Sequence, residues 1–174
     1  DLDDIIDSWK RDTKAQLKGW GGEVKTKLTH GLLLSPKEYH TFNNVLIPSS
    51  TSSGGSSQID HVIVSVYGIF VVETKDRGHW IFGNENDRQW TQVHFKQKRR
   101  FPNPLHQNYG HIMALKALLG LDVEVFHSLV AFWGADEFKP KRPDKVVTSI
   151  PEYYDYFKHK RKVILSQEQV DAVV

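Results

Sequence analysis

The chain reads as an α/β fold, ordered helix, strand, strand, strand, helix, strand. Three observations carry that expectation. Gln58 to Ser65 and Ile69 to Lys75 are runs rich in β-branched residues on either side of a Val66-Tyr67-Gly68 bend, as in a strand hairpin. Asn103-Pro104 supplies an N-cap and a proline at the first helical position, and the pattern behind it stops at Gly120. Val123 to Trp133 (VEVFHSLVAFW) is an apolar run suited to a buried strand. Layering helices on such a sheet buries all three.

The remaining elements follow in chain order. Leu2, Ile5, Ile6, Trp9, Thr13 and Leu17 recur at helical spacing and predict a first amphipathic helix, ended by Gly19, Gly21 and Gly22. A second helix is expected to start near Glu23, with Val24, Leu28 and Leu32 on its inner face. Glu38 to Ile47 reads as a strand. The tract Ser49 to Ser57 (SSTSSGGSS) is low-complexity and is expected to be a flexible loop rather than a domain boundary. Trp80 to Phe82 and Trp90 to Phe95 suggest a further hairpin across Gly83 to Asp87, followed by the basic run and Phe101-Pro102 as a loop. Leu105, Ile112, Leu115 and Leu119 are expected to face inward on the capped helix. Val146-Val147 reads as a short strand and Pro151 to about Lys160 as a helix. Ser166 to Gln169 forms a capping box that opens a last helix, cut short by the chain end. No internal repeat is visible.

Bulk composition narrows the class. The 174 residues suffice for one domain with a proper core. Hydrophobic content of 39% and charged content of 25% fit a globular protein. The net charge of +2 argues for no particular partner, but its distribution is uneven. Asp1, Asp3, Asp4, Asp7 and Asp12 load one end with acid, while Lys96, Lys98, Arg99 and Arg100 form a compact basic run. The absence of cysteine excludes disulfides and thiolate zinc sites within the chain. No stretch approaches the ~18 apolar residues of a membrane span, and no signal peptide is visible. A cytoplasmic protein is the expectation, with an anchor beyond this stretch left open. A chain opening at Asp1 reads as part of something longer.

The chemistry concentrates at the ends of the central strands. Asp60 precedes the first, and Glu73-Thr74-Lys75 closes the second. Charges at the ends of apolar strands are costly to bury and need a reason. Side chains alternate along a strand, so Glu73 and Lys75 share a face with Ile69 and Val71, and Asp60 shares one with Val62 and Val64. A two-residue loop at Val66-Tyr67 sets Asp60 opposite Glu73, roughly 5 Å apart at Cβ. A loop at Tyr67-Gly68 sets it opposite Lys75 instead. A three-residue loop breaks the arrangement unless a bulge restores it. Two close carboxylates repel, and a hard divalent cation with oxygen ligands removes the conflict. Lys75, adjacent but not a ligand, suits activation of an attacking water or stabilisation of a phosphorane. The plain alternative is a surface ion pair at a strand end.

Other residues support this more weakly. Gln107 lies one turn into the capped helix with His111 four residues on, on the same face. Gln107 suits a hydrogen bond to water, carboxylate or phosphate; as a lone feature it reads better as an exposed glutamine. Glu23 offers a third carboxylate, or simply an acid favoured by the helix dipole. The histidines are scattered, which makes zinc a poor reading; His61 points to the face opposite Asp60 and reads as packing. Phe95, the basic run and Phe101 suit a phosphate backbone, or a solvated loop. Neither a phosphate-cradling Walker loop nor a serine nucleophile elbow is present.

Taken together, Gln58-Ile59-Asp60-His61-Val62, Tyr67 through Lys75, then Gly78, Gly83, Trp90 and Asn103-Pro104-Leu105-His106-Gln107-Asn108 with His111 resemble the nuclease-related domain, a branch of the PD-(D/E)xK nuclease superfamily. The resemblance covers roughly Gly21 to Trp133. It implies a restriction-endonuclease-like αβββαβ core, a central mixed sheet flanked by helices, with an added β-hairpin and terminal helices. It divides the chain into an N-terminal extension over 1–20, the domain over 21–165 and the start of a C-terminal helix over 166–174. It implies Mg²⁺- or Mn²⁺-dependent hydrolysis of DNA, with RNA left open. Asp60 and Glu73, with the Thr74 carbonyl, take the place of metal ligands. Lys75 takes that of the catalytic lysine, Gln107 the helix glutamine and Glu23 the acid of the first core helix. Lys96, Lys98, Arg99, Arg100 and Arg77 are the expected nucleic-acid contacts. Ile59 stands where the superfamily often has proline. The competing expectation is a weak or inactive nuclease fold that binds nucleic acid or a partner. A homo-oligomer and further domains outside this stretch are compatible with either.

Overall fold

A computed structural model of the chain describes residues 21–48 and 54–174. The helix expected over Leu2 to Leu17, and residues 49–53 of the low-complexity loop, lie outside the described residues. The elements are α1 (Gly22–Leu33), β1 (His40–Pro48), β2 (Ser56–Ser65), β3 (Gly68–Phe82), β4 (Gln89–His94), β5 (Gln97–Pro102), α2 (Pro104–Leu119), a 3₁₀ turn (Val123–Val125), β6 (Phe126–Lys139), β7 (Val146–Val147), α3 (Ile150–Lys158) and α4 (Gln167–Val173). The expected helix-strand-strand-strand-helix-strand order is met by α1, β1, β2, β3, α2 and β6, with the β4–β5 hairpin inserted.

The sheet is mixed, as expected. β1, β2 and β3 pair antiparallel through short connections. The route from β3 to β6 passes through α2, and such a crossover lets β6 pair parallel to β3 along almost its whole length. β7 adds in parallel at the far edge. β3 is longer than the sequence suggests. It bends through register shifts between Asp76 and Trp80 and continues to Phe82, where it meets β4. β6 likewise runs to Lys139, past the expected end at Trp133, because β3 gives it a partner that far.

Three expectations need correction. The basic run is not a loop: Lys98, Arg99 and Arg100 lie in β5, paired with Val93, Gln92 and Thr91 of β4. Only Phe101 of that strand reaches the core, against Trp90 and Phe132, so no apolar alternation marks it. Leu32 is 50% exposed rather than inward. The buried positions of α1 among the described residues are Gly22, Thr26, Thr29, His30 and Leu33; the side chains of Glu23, Val24 and Leu28 lie outside the described residues. The apolar run from Val123 opens with the 3₁₀ turn, and the strand proper begins at Phe126.

The sheet buries both faces. On one, Ile63, Phe70, Val72, Leu129 and Trp133 pack with Tyr153 and Phe157 of α3. On the other, Val62, Val64, Ile69 and Val71 pack with Ile112 and Leu115 of α2 and Val170 of α4. A third cluster under the hairpin holds Ile81, Trp90, Phe101 and Phe132. Gly83 is needed there, since a Cβ would sit 2.2 Å from Cδ1 of Trp90. The first face also carries a polar seam. His30 Nε2 meets the Tyr153 hydroxyl, the His61 ring stands edge-on to His30 at 4.9 Å, and His61 Nδ1 lies 2.6 Å from Asn43 Oδ1. His61 is therefore a core residue, facing away from Asp60. Burial, then repulsion from His61, lowers the His30 pKa to about 3; burial, then the Lys27 charge, lowers that of His61 to about 4, against a small opposing pull from Glu73.

Candidate active site

The hairpin turn decides the geometry. Ser65 pairs with Gly68 and His61 with Val72, so the loop is the two residues Val66 and Tyr67. This register sets position 60 opposite position 73. β2 leaves β3 at that point. Asp60 Oδ2 accepts a hydrogen bond of 2.8 Å from the Thr74 backbone N–H, in the place of a ladder bond. The next antiparallel partner of β3 is β4, beginning at Trp80. The strand edge between is the wall of a cleft of about 420 Å³.

Asp60, Glu73, Thr74, Lys75 and Gln107 all line that cleft, with Gly22, Gln58 and Asp76 completing it. Glu73 is 2% exposed. Its Oε1 accepts a 2.5 Å hydrogen bond from Lys75 Nζ, which also donates to Gln107 Oε1 at 3.1 Å. The α2 cap explains why Gln107 arrives there. Asn103 Oδ1 accepts from the Leu105 N–H, and Asn103 Nδ2 donates to the carbonyls of Asn84, Glu85 and Asp87, which pins the helix start to the β3–β4 connection. Asn108 Nδ2 donates to the Val71 carbonyl and to Ser128 Oγ, tying the next residue of α2 to β3 and β6.

His111 enters the site in a way its spacing only hinted at. It is buried, its Nδ1 lies 2.9 Å from Ser57 Oγ, and its Nε2 faces Glu73 Oε2 at 3.5 Å. The i+4 relation to Gln107 put it on the right face, but the sequence carried no sign that Ser57 would hold the ring. On the opposite side of β3, Gly22 packs so closely that a Cβ would lie 3.0 Å from Thr74 Cγ2 and 3.1 Å from Asp76 Cβ. The start of α1 therefore borders the cleft. Glu23 is the next residue of that helix, and its side chain lies outside the described residues.

The basic residues are elsewhere. Lys98 and Arg100 share one face of β5, and Arg99 lies on the other. None of them lines the cleft. Arg77 stands between the two regions, with its guanidinium 4.4 Å over the Phe101 ring.

The expected ligands, Asp60, Glu73 and the Thr74 carbonyl, would offer oxygen only. Among the described residues no group of three or more His, Cys, Asp or Glu is placed to hold a metal ion. Two carboxylates suit a hard divalent cation that keeps several waters, Mg²⁺ above all. The observation that bears on it is Glu73 Oε2, a buried oxygen that accepts no hydrogen bond and faces the equally unpartnered His111 Nε2 at 3.5 Å, in a residue bordering the cleft.

A family model described as the nuclease-related domain matches residues 18–133. The chain belongs to the nuclease-related domain family. The match takes in the elements from α1 through α2 and the first half of β6, and so every cleft residue. An uncharacterized protein of Bacillus anthracis is 42% identical over 108 residues, which is 61% of this chain and 50% of that protein. The chain thus spans about half the length of that relative. No solved structure matches it. No described helix of this nuclease-related domain is long and apolar enough to cross a membrane.

Proposed function

We propose that this nuclease-related domain hydrolyses DNA phosphodiester bonds with the help of Mg²⁺ or Mn²⁺. The observation that supports it most is the buried Glu73 carboxylate, sharing one cleft with Asp60 and hydrogen-bonded to Lys75. Asp60 and Glu73, with the Thr74 carbonyl, are the residues to hold the ion, which when bound supplies charge neutralisation at the phosphate and a more acidic water. Lys75 aims its ammonium into the cleft, where it orients the attacking water and offsets the charge of the pentavalent phosphorane. Gln107 fixes the Lys75 rotamer through its amide oxygen. Glu23 is assigned an orienting role from the start of α1. Arg77 and the Lys96, Lys98, Arg99 and Arg100 cluster hold the phosphate backbone on either side of the scissile bond. We take the domain to run over 21–165 at the least, because Tyr153, Phe157 and Leu165 are buried in its cores, and Val170 of α4 packs onto one of them.

A second reading has its own observation. Lys75 already occupies Glu73 Oε1 at 2.5 Å, and that internal pair competes with a cation for the carboxylate. A nuclease fold kept for nucleic-acid or partner docking, with negligible turnover, fits such a pair. Incubation with plasmid DNA and with DNA and RNA oligonucleotides, in Mg²⁺, Mn²⁺ or EDTA, separates the two. The nuclease reading expects metal-dependent cutting that falls at least about a hundredfold in Asp60→Ala and in Lys75→Ala. Equal cutting by all three proteins marks a contaminant. Binding that ignores EDTA, without cutting, supports the docking module. Calorimetric titration of Mn²⁺ into wild type and Asp60→Ala reports separately on the ion site.

A further inference from the structure

The β4–β5 hairpin carries more than charge. His94 pairs with Gln97, so Phe95 and Lys96 form a two-residue turn, and Phe95 at its tip is 90% exposed. Its φ is +52°, a backbone region that a tight hairpin normally gives to Gly, Asn or Asp. His79 on β3 has φ +67°. These two residues belong to one aromatic group: the His79 and His94 rings stack 3.7 Å apart and within 8° of parallel, and the Phe95 ring packs against His94 at 4.6 Å, tilted by 49°. Two of the three non-glycine residues with positive φ among the described residues thus belong to a single aromatic group that ends in solvent. Strained backbone of this kind persists where the surroundings enforce it, and it clusters at functional positions.

Beside this group is a hollow of about 150 Å³ lined by His79, Gln92, His94, Gln97 and Arg99. Its lining is polar: a guanidinium that donates only, and two amides and two imidazoles that both donate and accept. Gln92 Nε2 is anchored on the Gly78 carbonyl at 3.0 Å, and Asp136 Oδ2 lies 3.5 Å from His79 Nδ1 on the outer side. A flat ring at a tip, a polar hollow behind it and Lys96 beside the ring in the turn match one ligand chemistry: an unpaired base with its phosphate. Along its length a duplex keeps its base faces inside its own stack, and only its two end pairs offer one to Phe95. An anionic membrane surface also accepts an exposed ring beside basic residues, and the vesicle arm of the test below separates that case.

We propose that this hairpin is a single-strand reader, with an unpaired base stacked on Phe95 and the adjoining phosphate held by Arg99, His79 and His94. The inference deepens the nuclease reading and rests on it for the choice of DNA as ligand. It directs the cleft toward single strands, gaps or frayed ends. The stretch of β3 from Glu73 to His79 covers at most about 20 Å, so a strand held at the hairpin can also enter the cleft.

Fluorescence anisotropy in EDTA, with labelled single-stranded and blunt duplex DNA of one sequence and a vesicle arm containing phosphatidylserine, tests this apart from any cutting. Phe95→Gly is the informative variant, because glycine accepts the positive φ and spares the turn; an unchanged melting temperature verifies that. Single-strand affinity is expected to fall about tenfold in Phe95→Gly and to survive in Phe95→Trp, while duplex affinity moves less than about twofold. Arg99→Gln is expected to weaken single-strand binding and reduce its salt slope by about one. Undiminished single-strand binding by Phe95→Gly, an equal loss on duplex, no single-strand binding by wild type, or a Phe95 effect on vesicles alone overturns the proposal. Single-strand binding that depends on Phe95, in a protein that never cuts, sinks the nuclease reading and leaves this one standing. Metal-dependent cutting with Phe95-indifferent binding does the reverse.

Discussion

At the scale of single residues, Glu73 is the pivot. It is a carboxylate removed from water, with Lys75 on one oxygen and His111 facing the other. Breaking a buried pair by deleting one partner costs more than the pair contributes, because a lone charge stays behind. Lys75→Met is therefore expected to lower stability by about 1–3 kcal/mol, a figure discounted because Lys75 keeps some solvent contact. Adding Glu73→Gln should return part of that loss, since the remaining group no longer carries charge. Urea midpoints for the two single variants and the double variant measure the coupling; strictly additive losses would mean that the two side chains do not interact. The opposition of Asp60 and Glu73 was one of two favourable registers legible in the sequence. The Val66-Tyr67 turn selected it. The hydrogen bond from the Thr74 N–H to Asp60 was not legible, because it exists only where β2 has already left β3.

At the scale of elements, α2 and the β4–β5 hairpin position the chemistry. Asn103 caps α2 and also satisfies three carbonyls of the preceding connection, while being almost fully buried. Asn103→Ala is expected to cost about 2–3 kcal/mol, more than an ordinary cap, because buried acceptors lose their donor as well. Guanidinium denaturation measures it, and cleavage by the same variant should drop as Gln107 loses its fixed place. The cap itself was plain in the sequence, since Asn-Pro before an apolar periodicity has few other uses. The charge of the hairpin was plain too, but its strand was not. On an edge strand with only Phe101 turned inward, lysines and arginines occupy both faces and erase the period-two signal. For duplex DNA, Lys98→Ala with Arg100→Ala should lower the slope of log affinity against log salt by about two. An unchanged slope across a salt titration would remove these residues from the phosphate path.

Over the whole molecule, the buried histidines couple stability to pH. An unfolded histidine titrates near 6.5. Folding lowers His30 to about 3 and His61 to about 4, with burial as the main cause in each. The unfolded chain thus binds protons in a range where the native state does not, and acid favours unfolding. Their stabilising contribution is full above pH 6.5 and declines as pH falls toward 4, by an amount on the order of a few kcal/mol. Melting temperatures between pH 7.5 and 4.5 should show the decline, and His61→Gln should flatten it by about one proton. A pH-independent melting temperature would mean that these rings titrate in the fold as they do in the unfolded chain. Ion binding is read in the same way: Mn²⁺ at a hundred times its dissociation constant should add about 2.7 kcal/mol to wild type and nothing to Asp60→Ala.

The sequence by itself determined the order of the core elements, the paired central strands, the cap and stop of α2, and the placement of the carboxylates and lysine on those strands and of the glutamine in the first turn of α2. These are local matters, written in side-chain alternation, turn length and capping chemistry within a few residues. The tertiary structure alone decided that β3 runs on to Phe82 beside β6, that β2 departs at Asp60 to open the cleft, that His111, in contact with Ser57, faces Glu73, and that His79, His94 and Phe95 come together. Each of these joins segments far apart in the chain. Their contacts depend on which distant backbone comes alongside, and no local pattern of residues records that choice.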